Sequence, residues 1–321
     1  MLAGILLMVL ATSMWGVSFV APVILKDYGP IDITVGRYFF YGLVSLVIWL
    51  VSYRRTVLSP MMWLYAFIYA FLGHIGFSLL VTYGIETAGA EIAVPVIGLL
   101  PVCVSLFGNA SLVEAPWRRI LPPLILVSAG LIAVLTVESG IFAHHWRTSA
   151  FGVAAVISVV CMWTWYAISN ARFLRDNPQV SSGAWTSIVG VATFVVTLLW
   201  LAVSGTAAIS ASELWRGGSN PVLFIIMALL LGFGASWLAG LIFNKASAQL
   251  PMALVGQLIV FETIFGVLYV YFYKAAIPPF LELAGMVLIF SGITWSIRVL
   301  QQFSTSTHDG ERGAAAVIAS E

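Results

Sequence analysis

Charged residues are scarce in this sequence, and their scarcity excludes a soluble protein. Only 8% of the 321 residues are Asp, Glu, Lys or Arg, whereas 61% are hydrophobic and the mean hydropathy is +1.04. A soluble domain carries about 25% charged residues, which it needs to cover its surface. The composition therefore predicts a chain whose main partner is the lipid bilayer.

An excess of charge of either sign is also lacking. The chain has 14 Lys and Arg against 13 Asp and Glu, which gives a net charge of +1. Proteins that bind nucleic acid carry a basic patch, and this balance does not supply one. We therefore expect no nucleic-acid partner.

Motifs for metal binding and catalysis are missing as well. The two cysteines, Cys103 and Cys161, lie in apolar runs and form neither a CxxC pair nor a zinc-ligand spacing. His144 and His145 adjoin each other without partners at metal-ligand spacing. There is no His-Glu-x-x-His motif, and the nearest approach to a serine-hydrolase elbow, at 234–238, lacks its final glycine. We expect no metal, no cofactor and no catalytic residue, so an enzyme is disfavoured.

Apolar runs of about 20 residues dominate the chain instead, and each can cross the roughly 30 Å hydrocarbon core as a helix. Charges, prolines and Gly/Ser clusters separate ten such runs. The sequence thus predicts an all-α membrane protein with ten transmembrane helices and a disordered polar tail at 301–321. The predicted helices are 2–25, 33–52, 62–84, 88–112, 120–137, 150–171, 181–203, 221–243, 248–272 and 280–299.

The distribution of Lys and Arg predicts the orientation of these helices. With the N-terminus inside, nine of the basic residues lie on the cytoplasmic face and five on the outer face. Short cytoplasmic loops retain an excess of Lys and Arg. Both termini are therefore predicted to be cytoplasmic. The first run reaches Leu25, which is too long for a signal-peptide core, so it is interpreted as a retained helix.

Short matches relate the two halves of the chain. Met-Trp at 14–15 recurs at 162–163, and residues 128–131 correspond to residues 290–293 at an offset of 162. Because each repeat would contain an odd number of helices, the second would enter the membrane in the opposite sense. The matches predict two inverted five-helix repeats, 1–138 and 149–300, followed by the cytoplasmic tail 301–321. Transporters built in this way bind substrate near the midplane, between the repeats.

Several motifs carry a family resemblance that covers residues 1 to about 300. They are Met-Trp-Gly at 14–16, Thr-Ala-Gly-Ala at 87–90 before Pro101, Val-Glu at 113–114, Lys-Ala-Ser-Ala at 245–248 and Phe-Glu at 261–262. These motifs resemble the drug/metabolite transporter superfamily with EamA repeats, and within it the chain is similar to the YddG-type aromatic amino-acid exporters. One departure is Glu262-Thr263, because second repeats of the family often carry Glu-Pro there and a helix break then follows.

The resemblance implies an alternating-access transporter in a bacterial inner membrane that exports aromatic and other neutral amino acids or similar small metabolites. A multidrug or metabolite permease of the same superfamily is the alternative, and a channel or sensor is a weaker one. A channel would carry a ring of like residues from several subunits. Here the symmetry lies within one chain, which favours a transporter that functions as a monomer.

Depth in the membrane selects candidate residues for a substrate site. A helix rises 1.5 Å per residue, and five polar or aromatic side chains lie within about 6 Å of a helix middle by that count. Ser78 and Tyr166 share a helix face with two of them. The predicted substrate-binding residues are Trp15, His74, Ser78, Trp163, Tyr166, Ser236 and Gln257.

The aromatic and ionisable candidates have a structural interpretation beside the functional one. Trp15 and Trp163 occupy equivalent places in the two repeats and are predicted to face each other across the axis as walls for a substrate ring. Ordinary helix packing by the two indoles is the alternative. His74 is a candidate ligand for substrate or proton because a buried imidazole is costly without a partner. A structural histidine with a satisfied ring stands beside that hypothesis.

The remaining candidates also have structural alternatives to a role in binding. Ser236 lies in a row of small residues with Gly232 and Gly240, which is more typical of close helix packing than of a binding site. Gln257 offers donors and an acceptor beside a helix that Pro251 and Gly256 could loosen. Arg37 and Glu262 are the strongest charge anomalies, and both are placed toward the outer third, where snorkelling or mutual pairing would stabilise them.

Overall fold

A computed structural model describes residues 1–56, 58–112, 116–139, 150–203 and 220–318. Within these residues ten apolar helices are long enough to cross a membrane, which confirms the prediction of an all-α protein with ten transmembrane helices. We number them α1 (Leu2–Ile24), α2 (Pro30–Tyr53), α3 (Pro60–Ala88), α4 (Ile92–Leu112), α5 (Trp117–Thr136), α6 (Ala150–Asp176), α7 (Ser182–Val203), α8 (Pro221–Ser247), α9 (Met252–Tyr273) and α10 (Phe280–Gln301). The His144 and His145 pair and the Val-Glu motif at 113–114 lie outside the described residues.

The last helix differs from the prediction for the tail. Helical structure continues from Phe280 to Ile318, whereas residues from 301 onward were predicted to be disordered. The extension combines strong helix formers, such as the alanines at 314–316, with weaker ones, namely the Ser/Thr run at 304–307 and the glycines at 310 and 313. Because α10 already supplies the helical nucleus, these residues need only propagate it.

Local sequence signals fix where α3, α8 and α4 begin. The Ser59 hydroxyl accepts a hydrogen bond from the Met62 amide, and the Asn220 side chain accepts one from the Leu223 amide. A proline occupies the first turn of both helices, where its missing N–H costs nothing. Gly89 joins α3 to α4 with φ at 85°, a conformation that favours glycine. The chain therefore reverses direction after α3 with almost no loop.

Helix packing keeps the same pattern when each helix is exchanged for the one five places away. After this exchange the α1–α9 contact becomes the α6–α4 contact. In the same way, the α3–α6 contact becomes the α8–α1 contact, and the α3–α7 contact becomes the α8–α2 contact. The α2–α7, α4–α9 and α5–α10 pairs correspond to themselves. A pseudo-twofold axis between the halves would produce this exchange. The division into two repeats stays the interpretation of the sequence.

Irregular turns interrupt four of these helices at matching depths. Wider π-type turns occur at Phe71–Ile75 in α3 and at Leu230–Leu238 in α8. Helix α4 is interrupted at Leu99, and α9 is interrupted at Val260 although no proline follows. Irregular backbone at membrane depth is tolerated where it is buried in protein or lines a cavity, and π turns often mark functional sites. The four interruptions therefore make the centre of the bundle a candidate for a cavity or a functional site.

Helices α4 and α9 are in close contact over half of their length. The Ser105 hydroxyl donates a hydrogen bond to the Ala253 carbonyl at 2.7 Å. A Cβ atom built on Gly256 would lie 2.4 Å from the Ser105 amide nitrogen, and one on Gly108 would lie 2.6 Å from the Met252 Cβ. Glycine thus allows the two backbones to touch. By the predicted orientation this contact, which we call the α4–α9 seam, lies in the cytoplasmic half.

Candidate functional site

A cavity with a volume of about 320 Å³ lies at the centre of the bundle. Six of the seven predicted site residues line it, namely Trp15, His74, Ser78, Trp163, Tyr166 and Ser236. They come from α1, α3, α6 and α8, and the cavity extends to Phe19 near the end of α1 and to Val94 near the start of α4. The cavity thus runs from mid-depth into the half opposite the α4–α9 seam, which is the outer half by the predicted orientation.

Aromatic rings form one wall of the cavity. The Trp15 and Trp163 rings meet edge to face with their centroids 6.1 Å apart, and the Phe243 ring lies 5.1 Å from Trp15 and 6.3 Å from Trp163. The two indoles therefore contact each other directly. The expectation that they stand on opposite sides of the substrate is corrected, because the two rings pack against each other and leave no space for a substrate between them. They form a single wall with Tyr166, whose ring centroid lies 6.0 Å from Trp163.

His74 lies within the π-type turn of α3 and is half-buried among tyrosines. Its ring centroid is 5.9 Å from Tyr38, 5.3 Å from Tyr41 and 5.6 Å from Tyr166. The Tyr38 hydroxyl shares a hydrogen bond of 2.9 Å with the Ser78 hydroxyl, one turn farther along α3. Rings from α2 and α6 thus fix the orientation of the imidazole while its remaining surface faces the cavity.

Arg37 points into the protein instead of toward the membrane surface. Its Nε donates to the Ser236 hydroxyl at 2.8 Å, one Nη donates to the Ser18 hydroxyl at 3.0 Å, and the other donates to the Ala235 carbonyl at 3.1 Å. The interpretation by snorkelling is therefore wrong for Arg37. Since α1 and α8 supply all three acceptors, a polar anchor for the guanidinium exists at membrane depth, and depth along α2 alone gives no sign of it.

Glu262 also lines the cavity, in the first turn after the interruption of α9. Within the described part of the chain its carboxylate accepts no hydrogen bond and forms no ion pair with Arg37. Mutual pairing of the two charges is therefore not observed in this conformation. A charged residue within an apolar run is unusual, and this feature of the sequence singled out both residues.

Gln257 lies away from the cavity. Its side chain is fully buried beside the α4–α9 seam, and neither its amide nitrogen nor its amide oxygen has a hydrogen-bond partner among the described residues. Counting along α9 gives the depth of a residue but not the direction in which its side chain points. The adjacent Gly256 faces Ser105 and Pro101 of α4, so this stretch of α9 packs against α4.

A network of buried polar side chains lies on the cytoplasmic side of the cavity, by the predicted orientation. The Asn170 amide donates to Asn244 at 2.7 Å and accepts from the Trp185 indole at 2.8 Å. The Asn244 amide in turn donates to the Thr186 hydroxyl at 2.8 Å. Asn170 joins α6 to α7 and α8 below the cavity, and we call Asn170, Asn244, Trp185 and Thr186 the asparagine network.

The described residues contain no group of three or more His, Cys, Asp or Glu side chains that could hold a metal ion. Cys103 and Cys161 are free thiols. The cavity presents ring faces, hydroxyl groups, the His74 imidazole, the Arg37 guanidinium and the Glu262 carboxyl group.

Comparison with known proteins gives three findings. The EamA-like transporter family matches residues 2–136. The "Inner membrane protein YtfF" of Escherichia coli (strain K12) is 33% identical over 310 residues, which is 93% of this chain and 96% of that protein. A protein of known crystal structure superposes with a TM-score of 0.73 at 17% identity, over 94% of this chain and 98% of that one. The third likeness shows a shared fold alone.

Proposed function

Because the chain belongs to the EamA-like transporter family of the drug/metabolite transporter superfamily, we propose that it exports amino acids by alternating access. The proposed substrates are aromatic and other neutral amino acids, together with similar small metabolites. The family is one of transporters, so the proposed function is movement of a solute across the membrane. The resemblance to YddG-type exporters motivates the choice of amino acids.

The central cavity is the observation that carries this proposal. Its volume of about 320 Å³ lies at the small end of the range of about 300–1,000 Å³ that is typical of ligand sites. A wall of aromatic rings gives an apolar side chain a surface to cover, while hydroxyl groups and charges on other walls suit a polar head group. An amino acid combines both parts in one small molecule.

The packing of α4 and α9 supports the alternating-access part. The two helices touch along the α4–α9 seam and are separated by the cavity in the other half, where Val94 on α4 and Glu262 on α9 both line it. A transporter must close one side of its site while the other side is accessible. With the predicted orientation, a closed seam on the cytoplasmic side and a cavity on the other side fit a state accessible from the outer face.

Transport by the purified protein tests the proposal directly. The protein is reconstituted in liposomes, and efflux of a panel of labelled amino acids and of a cationic dye is followed with and without a proton gradient. Efflux of phenylalanine and threonine above that of empty liposomes is expected. Movement of the dye alone would replace amino-acid export with the multidrug alternative.

We expect Trp163→Ala to weaken aromatic amino acids by up to about tenfold and to affect threonine or alanine less. A ring packed on an aromatic wall gains about 0.5–1.5 kcal/mol beyond its buried area, and Trp163 supplies part of that wall. Competition for phenylalanine efflux measures the affinity of each amino acid. Trp165→Ala is the matched control because Trp165 is exposed on the same helix and lies outside the cavity. Equal losses for all substrates would assign Trp163 to packing.

We further propose an inner-membrane location with both termini in the cytoplasm. The name of the E. coli relative supports the location, and the distribution of basic residues supports the orientation. In a background with both native cysteines replaced by alanine, an impermeant thiol reagent on intact cells should label Lys26→Cys but not Gln179→Cys. Both positions are exposed in loops, between α1 and α2 and between α6 and α7. Labelling of Gln179→Cys instead would reverse the orientation.

A further inference from the structure

Two side chains of opposite charge line the cavity, and placing a charged side chain within a membrane costs free energy. A charged side chain costs about 2.5–3.5 kcal/mol at the centre of a transmembrane helix. Such residues are retained where they pair with each other or act on a ligand. Arg37 and Glu262 both line the cavity, yet they form no ion pair with each other or with another described residue. Their placement therefore needs an explanation beyond mutual neutralisation.

Three hydrogen bonds hold the guanidinium of Arg37, and further N–H donors remain. A guanidinium has five N–H groups, and Ser236, Ser18 and Ala235 accept one each. The remaining N–H groups have no acceptor within the described residues. Three acceptors from α1 and α8 fix the plane of the guanidinium before any ligand arrives. Fixed planar donors are suited to a carboxylate, which they bind with two parallel hydrogen bonds.

Glu262 provides the complementary charge on another wall. The interruption of α9 at Val260 places Glu262 in the first turn of the helical segment that follows, where its carboxylate accepts no hydrogen bond from a described residue. Arg37 lines the same cavity. A small molecule lying between them would meet a donor at one end and an acceptor at the other.

We propose that Arg37 and Glu262 recognise the two ends of a zwitterionic substrate, with Arg37 binding its carboxylate and Glu262 binding its ammonium group. The aromatic wall of Trp15, Trp163 and Tyr166 then receives the substrate's side chain. This inference rests on the proposed function, which gives the substrate class but does not say how the carboxylate and the ammonium group are recognised. It makes the cavity selective for molecules that carry both charges, and that selectivity distinguishes it from an apolar drug site.

The test compares phenylalanine with two analogues that each lack one charge. Phenylalanine amide has no carboxylate, and N-acetylphenylalanine has no ammonium group. Each competes against efflux of labelled phenylalanine from liposomes that contain the wild-type protein. Charge-assisted hydrogen bonds contribute about tenfold to hundredfold in affinity. Both analogues are therefore expected to bind the wild type about tenfold to hundredfold more weakly than phenylalanine.

Two substitutions should remove the two preferences separately. Arg37→Gln is expected to abolish the preference for phenylalanine over its amide and to keep the preference over the N-acetyl form. Glu262→Gln is expected to abolish the preference over the N-acetyl form and to keep the preference over the amide. Arg37→Lys retains the positive charge and should restore part of the lost preference. Where a variant no longer transports, quenching of its tryptophan fluorescence in detergent measures the binding of the same three compounds.

Matched controls separate recognition from folding. Glu282→Gln changes a buried carboxylate of α10 that lies outside the cavity, and Arg172→Gln changes an arginine of α6 that bonds only a backbone carbonyl in the described part of the chain. Both controls should keep both preferences. If the wild type moves phenylalanine but does not distinguish it from its analogues, the recognition pair is wrong and amino-acid export stands. If the wild type moves no amino acid, both proposals are overturned.

Discussion

Replacing Asn244 with Leu is expected to lower the free energy of unfolding by about 2–3 kcal/mol. Asn244 connects the asparagine network, since it accepts a hydrogen bond from Asn170 and donates one to Thr186. Leucine has a similar volume but leaves the Asn170 amide without its acceptor in a fully buried place. A buried polar group without a partner costs about 1–3 kcal/mol, and the lost bond to Thr186 adds to that. The loss is measured by denaturant titration in mixed micelles.

A double variant gives this prediction a sharper form. Asn170→Leu removes the acceptor of the Trp185 indole as well as the donor to Asn244, so it should destabilise the protein by a similar amount. Each single change breaks the bond between the two asparagines, and the double change breaks it once. The double variant should therefore be less destabilised than the sum of the single variants by about 1 kcal/mol. Strict additivity would show that the two amides do not act as a unit.

A surface hydroxyl provides the control for this experiment. Thr294 is exposed on α10, and its hydroxyl bonds the carbonyl of its own helix at Phe290. Thr294→Val removes a hydroxyl group without leaving an unsatisfied partner in the core. Its expected effect is within about 0.5 kcal/mol. A loss equal to that of Asn244→Leu would show that the network has no special role in stability.

Most of the fold follows from the sequence because the bilayer imposes a simple length rule. Apolar runs of about 20 residues must become helices, and charges or prolines mark where these end. The predicted helix bounds accordingly lie within a few residues of the observed ones, and the main difference is the extension of α10 to Ile318. That extension lies beyond the apolar run, so the length rule does not apply to it.

The site is less predictable because depth and direction are separate properties of a helical residue. Each step along a helix turns the side chain by about 100°, so residues at equal depth point to different neighbours. Trp163 and Gln257 are both central by depth, yet the first lines the cavity and the second lies beside the α4–α9 seam. The π-type turn that contains His74 also shifts the face of α3, and no residue pattern in the sequence announces that turn.

Arg37 shows a further limit of counting along a single helix. Its distance from the start of α2 predicts an outer position but identifies no partner, and its acceptors belong to α1 and α8. Ser236 was assigned to packing or to binding as alternatives. In the structure it lines the cavity and also holds Arg37, so one hydroxyl serves both purposes. Such contacts between distant helices are decided by tertiary packing, which a single sequence does not reveal.

The substitution Gly256→Ala is expected to destabilise the protein by about 3 kcal/mol, at the upper end of the cost of overpacking a core. The new methyl group would lie 2.4 Å from the Ser105 amide nitrogen and 2.7 Å from the Pro101 carbonyl oxygen. Both are backbone atoms, which a side-chain rotation does not remove. The same change at Gly234 meets no atom closer than 3.8 Å. Gly234→Ala should therefore stabilise its helix, because alanine is favoured over glycine by about 1 kcal/mol.

The added methyl group should also change the side from which the cavity is accessible. It prevents the closest approach of α4 and α9, so it disfavours the conformation in which the α4–α9 seam is closed and favours any conformation in which the two helices separate there. Ser78→Cys in a background without native cysteines reports access to the cavity wall. An impermeant thiol reagent should label it faster from the outer side in the parent protein. With Gly256→Ala added, labelling from the cytoplasmic side should increase and outer labelling should fall. Unchanged labelling from both sides, together with lowered stability, would mean that the seam holds the fold together without acting as a gate.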